Sequence, residues 1–126
     1  DVVKRLGHLF GCLLDYYQRD VALARVLIAE ALLPRAGARS LPLTMDFLER
    51  VAALIAAAHA DGQLAGEILP FELAMHAFLL YVGGVLTVVN QMGSSAEARR
   101  ALERALEIHF RGLRPPRAAR PRRRKP

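Results

Sequence analysis

Apolar residues recur at helical spacing in five separate segments of this 126-residue chain. Apolar positions three or four residues apart are typical of a helix with one face in a core, whereas a half-buried strand alternates at every second residue. No segment alternates well enough to compete with the helical period. The sequence therefore predicts an all-α fold, and 126 residues allow one domain with one core.

The breaks between the segments predict where the helices begin and end. Asp20 and Ser94 are expected N-caps, and Ser94 with Glu97 has the spacing of a capping box. Gly62 is expected to end the third helix as its C′ glycine. We expect the third helix to begin at Thr44. The five helices should cover about residues 2–19, 20–33, 44–61, 70–89 and 94–112.

Two of these helices have apolar residues on more than one face. The second helix is apolar on nearly every side, so we expect other helices to wrap around it. The fourth helix has two apolar faces and needs two partners. Because a domain of about 113 residues has few helices to cover both faces, the second face favours a subunit interface.

The positive charge of the chain is concentrated at its C-terminal end. The formal net charge is +6, but residues 114–126 contain seven basic residues and no acidic one. Residues 1–113 hold eleven basic and twelve acidic side chains, which makes the domain nearly neutral. We expect residues 114–126 to form a disordered basic tail, either simply solvated or giving weak, sequence-independent support to DNA binding.

Cysteine content and hydropathy indicate the cellular compartment of the protein. Cys12 is the single cysteine, so an intrachain disulfide is impossible and a reducing compartment is the simpler expectation. The longest uncharged apolar run, residues 77–89, is shorter than a bilayer requires. We therefore predict a cytoplasmic protein with no membrane partner.

Three segments, taken in order, resemble a known family. They read YYQRDVALARVLIAEAL at 16–32, FLERVAALIAAAHADGQLAG at 47–66 and PFELAMHAFLLYVGG at 70–84. Each pattern is loose, but their order and spacing resemble the effector-binding half of tetracycline-repressor (TetR) family transcription regulators. The resemblance covers residues 2–113. It implies a five-helix bundle whose last two helices form a four-helix interface in a homodimer.

The family's N-terminal DNA-binding domain has no counterpart here. No short helix pair with a tight glycine-containing turn and a basic recognition helix is present. We expect that domain to be absent from this chain, whose ligand-binding and dimerisation domain is residues 1–113. The resemblance thus implies a DNA-binding partner domain that these residues do not supply.

By resemblance, the first, third and fourth helices enclose a pocket for a small hydrophobic effector. Such a pocket needs apolar walls and a few oriented polar groups, which Tyr16, His59 and His76 would supply. The open alternative is that these residues only pack a core, with Met75 as a gap-filler. The expected pocket residues are Leu9, Cys12, Leu13, Tyr16, Leu48, Val51, Ile55, His59, Met75, His76 and Leu79.

The implied dimer interface lies on the fourth and fifth helices. Glycines and alanines there permit close helix crossings. The expected interface residues are Ala77, Leu80, Tyr81, Gly84, Val88, Ala98, Ala101, Leu102, Ala105 and His109.

The sequence favours neither catalysis nor a metal or cofactor. The four histidines lie on four different predicted helices and lack metal-ligand spacing, so structural or solvent-facing roles are favoured. The paired carboxylates are spaced as surface helix charges. The resulting hypothesis is the ligand-sensing domain of a one-component transcriptional repressor. The alternative is a self-contained helical adaptor that contacts nucleic acid through its basic tail.

Overall fold

The computed structural model describes residues 1–115. They form five α-helices and contain no strand, which confirms the all-α prediction for this part of the chain. The helices are α1 (Val2–Arg19), α2 (Val21–Leu32), α3 (Ser40–Ala60), α4 (Pro70–Val89) and α5 (Ser95–Arg111).

Three of the predicted helix ends are confirmed by their local hydrogen bonds or backbone conformation. Asp20 caps α2 by accepting from the Leu23 backbone N–H. Ser94 and Glu97 form the full capping box of α5. After α3 the chain turns at Gly62, whose φ of 70° is the left-handed conformation that glycine adopts at little cost.

The predicted start of α3 at Thr44 is wrong, because the helix begins at Ser40. Pro42 lies in the first turn of α3. A proline is tolerated there because backbone N–H groups of the first turn have no partner within the helix. The Ser40 hydroxyl donates to the Glu30 carbonyl oxygen at 2.9 Å and ties the start of α3 to the end of α2.

Helix α4 is the centre of the bundle and contacts each of the other four helices. Seven of its residues are buried, among them Ala77 and Val85. The most extensive packing joins α3 to α4, α1 to α5 and α4 to α5. The buried faces of α1, α4 and α5 form the core, with Phe10, Leu14, Leu106 and Phe110 fully enclosed.

Helix α2 packs on the outside of this core. The prediction that other helices wrap around it is wrong within the single chain, since only Ala24 of its twelve residues is buried. Leu23, Val26 and Leu27 are between 44% and 60% exposed. Helix α2 contacts α1, α3 and α4 on one side and leaves its other side accessible.

Arg114, the first residue of the predicted tail, packs on the folded domain. Arg114 forms ion pairs with Asp1 at 3.3 Å and with Glu107 at 2.9 Å, so this residue is joined to the folded domain. Residues 116–126, which carry the rest of the predicted basic tail, lie outside the described residues.

Candidate ligand-binding cavity

An apolar cavity of about 240 Å³ lies beneath α2. Its walls come from the C-terminal half of α1, the end of α2, the start of α3 and the middle of α4. The early start of α3 contributes to it, because Leu43 and Thr44 lie inside the helix and face the cavity. The lining residues are Leu13, Tyr17, Ile28, Ala31, Leu32, Leu43, Thr44, Phe47, Phe78, Tyr81, Val82 and Val85.

Two phenol side chains supply most of the polar chemistry in this cavity. Tyr81 is only 4% exposed. Its burial, and the neighbouring Tyr17, raise the pKa of Tyr81 above its ordinary value of 10.0. The Thr44 hydroxyl is committed to the Ser40 carbonyl oxygen at 3.0 Å. A ligand would therefore meet tyrosine hydroxyls in otherwise apolar surroundings.

Aromatic contacts hold the ring of Tyr81 in place. Phe10 stacks on it with ring centroids 4.8 Å apart and an interplanar angle of 17°. Phe78 lies against Tyr81 at 5.9 Å and against Phe47 at 6.4 Å. Because each ring packs against at least one other, the wall formed by α3 and α4 is set by core packing.

The cover formed by α2 is held by few contacts. Arg25 donates to the Asn90 side-chain oxygen at 3.0 Å and links α2 to the end of α4. The Ser40–Glu30 hydrogen bond links α2 to α3. With only Ala24 buried, α2 contributes little apolar burial of its own, so it is the wall of the cavity that should move most easily.

One of the eleven predicted pocket residues, Leu13, lines this cavity. Leu48, Val51 and Ile55 are buried in the packing of α3. The remaining seven line none of the cavity: Leu9, Cys12, Tyr16 and Leu79 are exposed, and His59, Met75 and His76 are partly buried.

The cavity residues that the predicted set omits belong mainly to α2 and to the aromatic cluster. Tyr17, Phe78, Val82 and Val85 lie on apolar faces visible in the sequence, and their period assigns them to a core. Tyr17 beside such a face is the one sequence signal that could have indicated the cavity. A buried Tyr hydroxyl generally needs a polar partner, which a ligand could supply. Ile28 and Ala31 carry no comparable signal, since α2 is apolar all round.

The ten predicted interface residues divide into two groups. Five have little accessible surface, because α4 and α5 pack against the chain's own helices: Ala77, Tyr81, Val88, Ala98 and Leu102. The other five retain accessible surface in the single chain: Leu80, Gly84, Ala101, Ala105 and His109. Only this second group has substantial surface to offer a second chain.

A shallow groove of about 390 Å³ runs between α4 and α5. Gly83, Gly84, Ala101 and Ala105 make its floor low, and Glu97 is the one charged residue among its lining residues. Exposed apolar side chains stand near it, with Leu79 61% and Ile108 57% accessible. We call this groove and its flanking apolar residues the α4–α5 surface.

Two further features bear on the predicted chemistry. Cys12 Sγ lies 3.8 Å from His8 Nε2, but both residues are exposed on α1 and neither lines the cavity. Within residues 1–115, α4 is the helix long and apolar enough to cross a membrane. The core helix of a soluble protein passes the same test, so this property alone assigns no membrane role.

Comparisons with protein-family models, with curated proteins and with solved structures find no match to this chain.

Proposed function

We propose that this chain is the effector-sensing and dimerisation domain of a one-component transcriptional regulator of the TetR type, acting as a repressor in the cytoplasm. The observation that carries the proposal is the apolar cavity beneath α2, which is lined by the buried phenol of Tyr81 and the half-buried phenol of Tyr17. Concave apolar sites with a few polar groups are the usual binding sites of small molecules. The proposed effector is a small, largely apolar molecule with a hydrogen-bonding group that meets Tyr17 or Tyr81.

Helix α4 supplies a physical route from effector to quaternary structure. Tyr81, Val82 and Val85 line the cavity, whereas Gly83 and Gly84 line the groove of the α4–α5 surface. A shift of α4 on ligand binding would therefore move both sites together. In the proposed homodimer, the second chain packs on the α4–α5 surface.

The proposed mechanism is differential binding. The effector prefers one spacing of the two subunits, and DNA, bound through a domain outside this chain, prefers the other. A coupling free energy of about 1–3 kcal/mol would change operator affinity roughly 5- to 150-fold.

The experiment is a thermal-shift screen with small apolar compounds, run on two matched alanine variants. Ala31 lines the cavity and Ala29 is exposed on the same helix. Ala31→Phe fills the cavity, whereas Ala29→Phe adds the same ring outside it. A compound that binds in the cavity raises Tm for the parent chain and for Ala29→Phe but not for Ala31→Phe. Equal shifts in all three proteins, or no shift from any compound, would contradict the proposal.

A second candidate function is a helical adaptor with a nucleic-acid-contacting tail. Exposed apolar side chains between the end of α2 and the start of α3 favour a protein contact there, since Leu33 is 81% and Leu43 69% accessible. Binding to DNA of unrelated sequence tests the adaptor. An adaptor binds it through residues 122–124, with strong salt dependence, and loses binding when those arginines become glutamine. The sensor domain alone has no such requirement.

A further inference from the structure

His76 of α4 and His109 of α5 lie side by side on the protein surface. His76 Nδ1 is 3.2 Å from His109 Nε2, and the ring centroids are 5.1 Å apart with an interplanar angle of 83°. The two residues are 33 positions apart in the chain, so the contact joins the start of α4 to the end of α5. Both side chains are at least partly accessible to solvent.

The distance between these two nitrogens matches the distance between two nitrogen ligands of one metal ion. A Zn²⁺–imidazole bond is about 2.0–2.1 Å, so two nitrogens on a tetrahedral ion lie about 3.3 Å apart. The observed 3.2 Å is close to that distance. Without metal, one ring donates its N–H to the other. To bind a metal, the donating ring would carry its proton on its other nitrogen instead, so that both facing nitrogens present a lone pair to the ion.

A histidine ligates a metal through a neutral imidazole nitrogen, so protonation competes with metal binding.

We propose that His76 and His109 form a two-histidine site for a divalent transition metal ion of the Zn²⁺, Ni²⁺ and Cu²⁺ class. Imidazole is a good ligand for all three ions. Within residues 1–115, no group of three or more His, Cys, Asp or Glu side chains converges as a metal site. Water or other small ligands would complete the coordination, so the bound metal exchanges readily.

The bound ion would clamp α4 to α5. A metal that binds the folded chain and not the unfolded chain stabilises the fold by mass action. The site adjoins the α4–α5 surface because His109 is one turn from Ala105 on α5. The proposal concerns metal binding by a single chain and does not require dimerisation or an effector.

The experiment measures Tm and binding heat as Ni²⁺ is added to metal-stripped, tag-free full chain. The background is Cys12→Ser, since Cys12 and His8 are close enough to compete for the ion. The variants are His76→Gln and His109→Gln, with His8→Gln as the matched exposed control. All substitutions are at accessible positions, and the Tm without metal checks that each variant folds.

The expected result is one Ni²⁺ per chain and a Tm rise of about 5 °C or more once free metal exceeds Kd tenfold. His8→Gln keeps that rise, and His76→Gln and His109→Gln each lose most of it. A Tm that stays constant up to about 1 mM Ni²⁺ would overturn the proposal. So would an equal rise in all four proteins, because the ion would then bind elsewhere.

Discussion

Gly84 of α4 packs directly against Leu14 of α1. A Cβ atom added at Gly84 would stand 3.2 Å from Leu14 Cδ1 and 3.5 Å from Leu14 Cδ2. Leu14 is fully buried, so its side chain has little room to move away. The neighbouring Gly83 differs, because a Cβ there meets nothing within 4 Å. Two adjacent glycines of one helix thus have opposite surroundings.

We expect Gly83→Ala and Gly84→Ala to change stability in opposite directions. Alanine in a helix interior is favoured over glycine by about 0.5–1 kcal/mol, and Gly83→Ala should gain that amount. At Gly84 an overpacked core costs about 1–3 kcal/mol, which exceeds the gain. Urea unfolding at two protein concentrations measures both and exposes any contribution from association. A stabilised Gly84→Ala would contradict the described α1–α4 packing.

Two glycines of α1 explain why most of the pocket residues predicted on this helix do not line the cavity. The apolar period of α1 correctly predicts a helix, and the expected pocket set takes Leu9 and Leu13 from it. In the structure Gly7 and Gly11 are buried, and they face Glu103 and Arg99 of α5. The core side of α1 is therefore rotated toward its glycines, which turns Leu9, Cys12 and Tyr16 outward. Hydropathy could not reveal this, because a glycine at a close helix contact contributes space rather than apolar surface.

The same limit applies to how the helices are arranged. Helix number, most helix ends and the caps at Asp20 and Ser94 depend on local chemistry and were predictable. Which helices enclose a space depends on how closely each pair approaches. Helices α3 and α4 pack so extensively that Val51 and Ile55 fill the core between them. The cavity instead forms where the short α2 bridges α1, α3 and α4.

The proposed dimer depends on side chains that the single chain leaves accessible. Ala101 is exposed on the α4–α5 surface, so Ala101→Glu should place a charge inside the interface and give a monomer in light scattering. Ala53→Glu on α3, also exposed, is the matched control and should keep the parent mass. A buried position such as Leu102 is unsuitable, because a charge there would disrupt the chain's own core.

Two results would contradict the dimer proposal. One is a monomeric parent chain at all accessible concentrations. The other is an Ala101→Glu variant that keeps the parent mass, which would move any interface away from the α4–α5 surface.

Tyr81 makes a specific contribution to alkaline stability. Its folded-state pKa is raised above the ordinary value of 10.0, first by burial and then by Tyr17. Above pH 10 the unfolded chain loses this proton while the folded chain keeps it, so stability falls as pH rises. The limiting slope from one such group is about 1.4 kcal/mol per pH unit.

Tyr81→Phe should remove that slope from the free energy of unfolding measured between pH 10 and 11. Tyr16→Phe is the control, because it deletes a phenol hydroxyl from a side chain that is 52% exposed. If the two variants reduced the slope equally, the hydroxyl of Tyr81 would not be buried as described.

Helix α2 should be the least stable helix of the bundle. It buries one residue, whereas α4 buries seven, and elements with little apolar burial open locally at low free energy. Its amides should therefore exchange hydrogen faster than those of α4. The N-cap bond from Leu23 N to Asp20 Oδ1, 2.9 Å long, holds its first turn.

Replacing that cap should accelerate exchange in α2 alone. Asp20→Ala removes about 1 kcal/mol, which corresponds to roughly fivefold faster opening of α2 with α4 unchanged. Asp46→Ala, which removes an exposed i, i+4 ion pair on α3, is the control and should leave α2 unchanged. A cavity ligand should slow exchange in α2 most, because α2 is the least buried wall of the cavity. Protection in α2 equal to that in α4, with or without Asp20, would contradict the ranking of α2 as the least stable helix.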